Sequence, residues 1–193
     1  MFFALALAFA AGAQNDLTFV EAENPVALTS EQSARWEKVG RKLHAAWGDS
    51  DIAYQRSLVP SGVSSAPYRL TVWKGERACA LIMLWSAEEK KRVECKIGDF
   101  KSDGAQLPSA VASSYFVRYT LGDQLTPEFM QTHRYKKGET PSMLVPDMLD
   151  SLSSIYMAAR TARPVWVSIN VPQEAEPGLY KTNVEITSRR DKV

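Results

Sequence analysis

The side chains that could do chemistry in this chain are two histidines, two cysteines, a scatter of carboxylates and five tryptophans. A serine nucleophile would need His44 or His133 as its base, yet no Gly-x-Ser-x-Gly elbow is present to hold the serine. His133 lies in Thr132-His133-Arg134-Tyr135 and suits a surface or interface position. A thiol nucleophile would have to be Cys79 or Cys95, and both fall in apolar runs where a thiol is inert. Paired carboxylates carry most glycoside hydrolysis. The pairs on offer are Asp147 with Asp150, Asp99 with Asp103, and Glu88-Glu89, none within an acid/base motif. Asp147, just after Pro146, is expected to cap a helical turn. Among the tryptophans, Trp73, Trp85 and Trp166 fall on expected strands. Trp166 alternates with Val165 and Val167, so it faces away from them: a glycan platform if that face is open, an interface anchor if a second domain covers it. Trp166, His133 and Asp147 are therefore the candidate interface or glycan contacts. No catalytic residue is assigned. The two cysteines form no metal knuckle, and neither a metal nor a cofactor is expected.

The elements that would position these residues are mostly strands. Trp36, Val39, Leu43, Ala46 and Trp47 recur at helical spacing, so a helix is expected over residues 31–47, capped by Ser30 and stopped at Gly48. Period-two or apolar runs predict strands at 68–73, 77–85, 92–97 and 112–121. Residues 80–85 are apolar throughout and predict burial on both faces of their strand. In 112–121, Tyr115, Val117 and Tyr119 share one side, with Phe116 and Arg118 on the other. A hairpin turning at 86–91 would set Cys79 opposite Cys95, where a disulfide is feasible; two buried thiols fit the same residues. Residues 122–149 read as a long irregular connection and 149–159 as a helical turn or irregular lead-in.

Residues 163–187 carry the clearest signal. Val165, Val167, Ile169 and Val171 alternate with polar residues and Trp166, Pro172 closes the strand, and Pro177-Gly178 turns the chain. A second strand is expected with Tyr180, Val184 and Ile186 on one face. Short antiparallel strands with a single helix predict an all-β fold, an antiparallel β-sandwich with one N-terminal lateral helix.

A net charge of +1, from 23 basic and 22 acidic residues, offers no basic excess for a polyanion, so no nucleic-acid partner is expected. Residues 2–11 are an uncharged apolar run, and Ala11-Gly12-Ala13 fits a signal-peptidase site, although no basic residue precedes the run. The run is too short to span a bilayer. The expected organisation is a signal peptide at 1–13, an extended segment at 14–30, the sandwich at 31–188, and a truncated tail or start of a linker at 189–193. The protein would be secreted or periplasmic, with no membrane insertion after cleavage.

Several motifs occur in a fixed order: Trp73-Lys74-Gly75-Glu76-Arg77, Leu84-Trp85-Ser86, Ile97-Gly98-Asp99-Phe100, Phe116-Val117-Arg118-Tyr119, Pro146-Asp147-Met148-Leu149-Asp150, Arg163-Pro164-Val165-Trp166-Val167, and Pro177-Gly178-Leu179-Tyr180. In that order they resemble the N-terminal β-sandwich domain of glycoside hydrolase family 123. The resemblance spans roughly residues 36–187. It implies an exported enzyme that removes β-linked N-acetylgalactosamine by substrate-assisted chemistry. The family's Asp-Glu pair lies in a C-terminal (β/α) barrel, so no catalytic position is carried over and this chain alone is expected to be inactive. The barrel is the implied partner, in cis or in trans. A free-standing carbohydrate-binding module, with glycan as its partner, is the alternative.

Overall fold

The computed structural model describes residues 21, 27–122, 143–189 and 191–193. His133 and the expected signal peptide lie outside them. The chain runs α1 (Ser30–Lys38), β1 (His44–Gly48), β2 (Arg77–Ser86), β3 (Lys90–Ile97), β4 (Phe100–Lys101), β5 (Gln106–Leu107), β6 (Ala112–Gly122), β7 (Met143–Asp150), β8 (Ile155–Met157), β9 (Thr161–Asn170) and β10 (Val184–Thr187). A five-stranded sheet has the order β1-β2-β9-β6-β7, a three-stranded sheet the order β10-β3-β8, and β4-β5 form a small hairpin. Every described pairing between these strands is antiparallel. The expected all-β sandwich with one helix is the fold observed.

Alternation decides what goes between the sheets. Ala80, Ile82 and Leu84 of β2, Val165 and Val167 of β9, and Phe116 of β6 meet Val93 of β3, Ile155 and Met157 of β8, and Ile186 of β10. The intervening β2 residues Leu81 and Met83 pack with Tyr54, Ala162 and Trp166 on the outer face of the large sheet. Strand β2 is therefore buried on both sides, as its continuous apolar run demands.

Five expectations need correction. Residues 143–150, expected within a long irregular connection, form β7 on β6, and residues 155–157, expected as a helical turn or irregular lead-in, form β8 on β3. Helix α1 ends at Lys38, and His44–Gly48 is a strand paired with β2. Leu43 and Trp47 fit a helical period, but Leu43, Ala45 and Trp47 also alternate, and burying that face between the sheets outweighs helix propensity. Thr29, not Ser30, is the N-cap: its Oγ1 accepts from Gln32 N–H at 3.2 Å and Gln32 returns the bond to Thr29 N–H at 2.8 Å. Residues 68–73 form no strand and are exposed. Finally, β2 and β3 do not pair; the chain crosses from one sheet to the other between them.

Close approach constrains Gly48. A Cβ at Gly48 would lie 2.9 Å from Met83 Cγ and 3.2 Å from the Tyr54 ring.

The core makes a measurable claim. Leu84 is wholly buried between the sheets, whereas Leu179 is 70% exposed. Leu84→Ala is expected to lower unfolding free energy by about 2–5 kcal/mol, and Leu179→Ala to change it by less than about 0.5 kcal/mol, both read by urea unfolding.

Candidate functional site

The most heavily built polar site begins with a proline. β9 pairs with β2 along its whole length but with β6 only from Phe116↔Val165 to Ala112↔Ile169. The next residue of β9 is Pro164, which has no N–H to donate. The two strands part there, and β6 continues paired with β7 alone. A fork of this kind strands the backbone groups on its two inner edges, and each needs a partner.

Side chains and a loop supply them. Ala162 N–H donates to the Arg56 carbonyl at 2.7 Å. On the β6 edge, the Val117 carbonyl accepts from Arg163 Nη1 at 2.9 Å, and Tyr119 N–H donates to Glu21 Oε1 at 2.9 Å. Arg163 grips the Glu21 carboxylate with both terminal nitrogens, at 2.5 and 2.6 Å, and Arg56 Nη1 reaches Glu21 Oε2 at 3.1 Å. The Arg163 guanidinium also lies over the Tyr119 ring, 5.3 Å from its centroid. Tyr119 in turn donates its hydroxyl to the Tyr54 carbonyl at 3.0 Å.

Electrostatics follow from this geometry. Burial works to raise the Glu21 pKa, but the Arg163 hydrogen bond and charge, the Tyr119 N–H and the Arg56 charge together outweigh it and hold the carboxyl below its ordinary 4.5. Burial pushes the Tyr119 phenol up, so it stays a neutral hydroxyl. Glu21 and Arg56 belong to no sequence motif, and Arg163 enters only as the first residue of Arg163-Pro164-Val165-Trp166-Val167, without a role. Their separation along the chain leaves no spacing to recognise; the local signal is a proline at position 164 inside a strand pattern.

The residues expected to do chemistry are dispersed. Asp147 is the extra residue of a β-bulge in β7, between Pro146↔Tyr119 and Met148↔Arg118, and is exposed; it caps no helical turn. Asp150 is occupied structurally, pairing with Arg118 and accepting from Leu152 N–H at 3.0 Å. Asp99 holds Gln106 and the Ser109 N–H, while Glu88 and Glu89 meet Arg41 and Tyr156. His44 stacks on Trp85 across β1 and β2, with ring centroids 5.3 Å apart. Trp166 does face away from the valines, but it is partly buried against the outer cluster of Leu81 and Met83. Trp73 is the aromatic held out to solvent, 81% exposed on a turn in which its N–H donates to Glu76 Oε2 at 2.6 Å. Among the described residues, no three His, Cys, Asp or Glu side chains gather as a metal site.

Of the two readings left open for Cys79 and Cys95, a disulfide or two thiols, the structure has two free thiols. Cys79 pairs with Ser168 in the large sheet, and Cys95 pairs with Ile186 in the small one and packs against the inter-sheet core. By the alternation of β2, Cys79 lies on the outer face with Leu81, so the large sheet stands between the two thiols. Burial pushes the Cys95 thiol up despite a hydrogen bond with Ser114.

The sequence signature of the Glycoside hydrolase 123 N-terminal domain matches residues 47–188. The chain belongs to that family. Among solved structures, the family 123 domain of this chain is similar to a family 123 glycoside hydrolase from Clostridium perfringens, described for glycolipid glycan hydrolysis. The TM-score is 0.66 at 18% identity, over 79% of this chain and 26% of that one. The family 123 domain thus spans about a quarter of that enzyme's length. No curated protein matches the chain. No helix among the described residues is long and apolar enough to cross a membrane.

Two measurements check the site. Glu21 has a folded pKa below its unfolded value, so the unfolded state binds the extra proton between them and stability rises with pH across that window. The stabilisation is full above about pH 4.5 and is lost as pH falls through the folded value; Glu21→Gln should flatten that part of the stability–pH curve, read by urea unfolding from pH 3 to 7. Thiol titration of the denatured protein without reductant should find both Cys79 and Cys95 free.

Proposed function

We propose that this chain is the non-catalytic N-terminal β-sandwich of an exported glycoside hydrolase that acts on β-linked N-acetylhexosamine glycans, with catalysis carried by a (β/α) barrel in cis or in trans. The observation that carries this reading is the family match over residues 47–188. The same fold makes up only 26% of the Clostridium perfringens enzyme, which is described for glycolipid glycan hydrolysis. The carboxylates support it as well. Asp99, Asp150, Glu21 and Glu88 are each tied to a structural donor.

Export rests on the apolar run and small-residue site at residues 2–13. Interface contact by Trp166, His133 or Asp147 remains part of the proposal, and Trp73 joins them because it is the most exposed large aromatic described. That exposure also favours a second reading, a glycan-binding module in which a sugar ring stacks on Trp73.

The test is hydrolysis of a fluorogenic N-acetyl-β-galactosaminide by the purified chain alone, together with affinity electrophoresis on glycans bearing that sugar. No turnover above buffer is the expected result. Turnover that Asp147→Asn abolishes would overturn it. Retardation that Trp73→Ala removes would favour the glycan-binding module.

A further inference from the structure

The fork between β6 and β9 has the composition of a receptor for a carboxylate. Two guanidinium groups and one backbone N–H converge on a single carboxylate. Arg163 meets it in the two-point geometry that guanidinium and carboxylate share, Arg56 adds a third charged donor, and Tyr119 N–H a fourth bond. The Arg163 side chain is 9% exposed and the Arg56 side chain 16%, so leaving these cations without a counter-charge would be costly. The ligand is not part of the family match, which begins at residue 47; it is Glu21, from the segment ahead of α1.

We propose that the fork is a carboxylate-binding site which the chain fills in cis with Glu21, whose carboxylate completes the sheet edge where Pro164 opens it. The receptor is formed by β9, β6 and the loop carrying Arg56; the charged and titratable groups facing the carboxylate from these elements are Arg163, Tyr119 and Arg56. The carboxylate does what a strand neighbour would have done for Tyr119 N–H, and it neutralises the guanidinium that caps the Val117 carbonyl. A site of this chemistry recognises a carboxylate as such. When Glu21 is shortened to alanine, a small carboxylate from solution should take its place.

The experiment compares full-length wild type, Glu21→Ala and Glu21→Gln by thermal unfolding, in sodium acetate and in sodium chloride at equal ionic strength and pH 7. Amide exchange at Tyr119 is followed in parallel. Glu21→Ala is expected to lower Tm by about 10 °C and to speed Tyr119 exchange about tenfold or more. Acetate should restore part of the lost Tm in Glu21→Ala, chloride should not, and wild type should respond to both alike. Unchanged Tm and unchanged Tyr119 protection in Glu21→Ala would overturn the proposal, and so would equal effects of acetate and chloride on that variant. Should Glu21→Ala not fold, Glu21→Gln carries the test: it keeps the shape but strips Arg163 and Arg56 of their counter-charge, so its Tm should fall, and a Tm equal to wild type overturns the proposal.

Discussion

Pro164 sets the problem that much of this structure is arranged to solve. A proline in a strand flanked on both sides must break one ladder, and here the broken ladder is the one to β6, just beyond Phe116↔Val165. The consequences spread from that point. β6 becomes free to continue with β7, Ala162 N–H turns to the Arg56 carbonyl, and Val117 and Tyr119 are completed by Arg163 and Glu21. Buried backbone groups cannot be left without partners at a cost the fold could tolerate. The fork therefore draws in both Arg56, from the loop after β1, and Glu21. What looks like an ion pair is also the repair of a sheet.

The other end of the chain is fastened by similar means. Lys90, at the start of β3, is buried and donates to the Arg41 carbonyl at 2.7 Å and pairs with Asp191 at 2.8 Å. Burial works to raise the Asp191 pKa, but the Lys90 bond and charge, Ser188 and the Leu43 N–H together bring it below its ordinary value. Ile186 and Val193 exchange backbone hydrogen bonds at 2.8 and 2.9 Å, and Thr187 bridges Lys192, so residues 191–193 lie alongside β10. Each flank is thus pinned by a carboxylate on a buried cation. Such pairs add little net stability against an apolar alternative, but losing one partner is costly, which gives each flank one position.

The distribution of polar groups bears on function. A catalytic carboxylate pair needs two groups facing a shared space with room for substrate. Here the described carboxylates are spread over turns, edges and the fork, each with a structural donor or with solvent. The aromatic side chains divide in the same way: Trp36 is buried and donates to the Ser57 carbonyl at 2.7 Å, Trp166 lies partly within the outer cluster, and Trp73 stands in solvent. These are the polar and aromatic arrangements of a chain that belongs to the family 123 N-terminal domain.

How much of this the sequence held follows from the range of the forces involved. Alternation along β2, β6 and β9 is a local property, and it placed Val165, Val167 and Trp166 on their faces and foretold a two-sided β2. Ordered turn and strand motifs carried the family. The end of α1 did not follow, because Leu43 and Trp47 satisfy two periods at once and only pairing with β2 chooses between them. Nor did the fate of the cysteines, since a short turn between two strands does not say whether they pair or pass to facing sheets. Glu21, Arg56, Tyr119 and Arg163 meet only after the strands have taken their order. Local patterning fixes which residues can lie in strands and which way they face. Tertiary structure decided which strands are neighbours, and with that where the backbone would be left bare and which charges had to come to it.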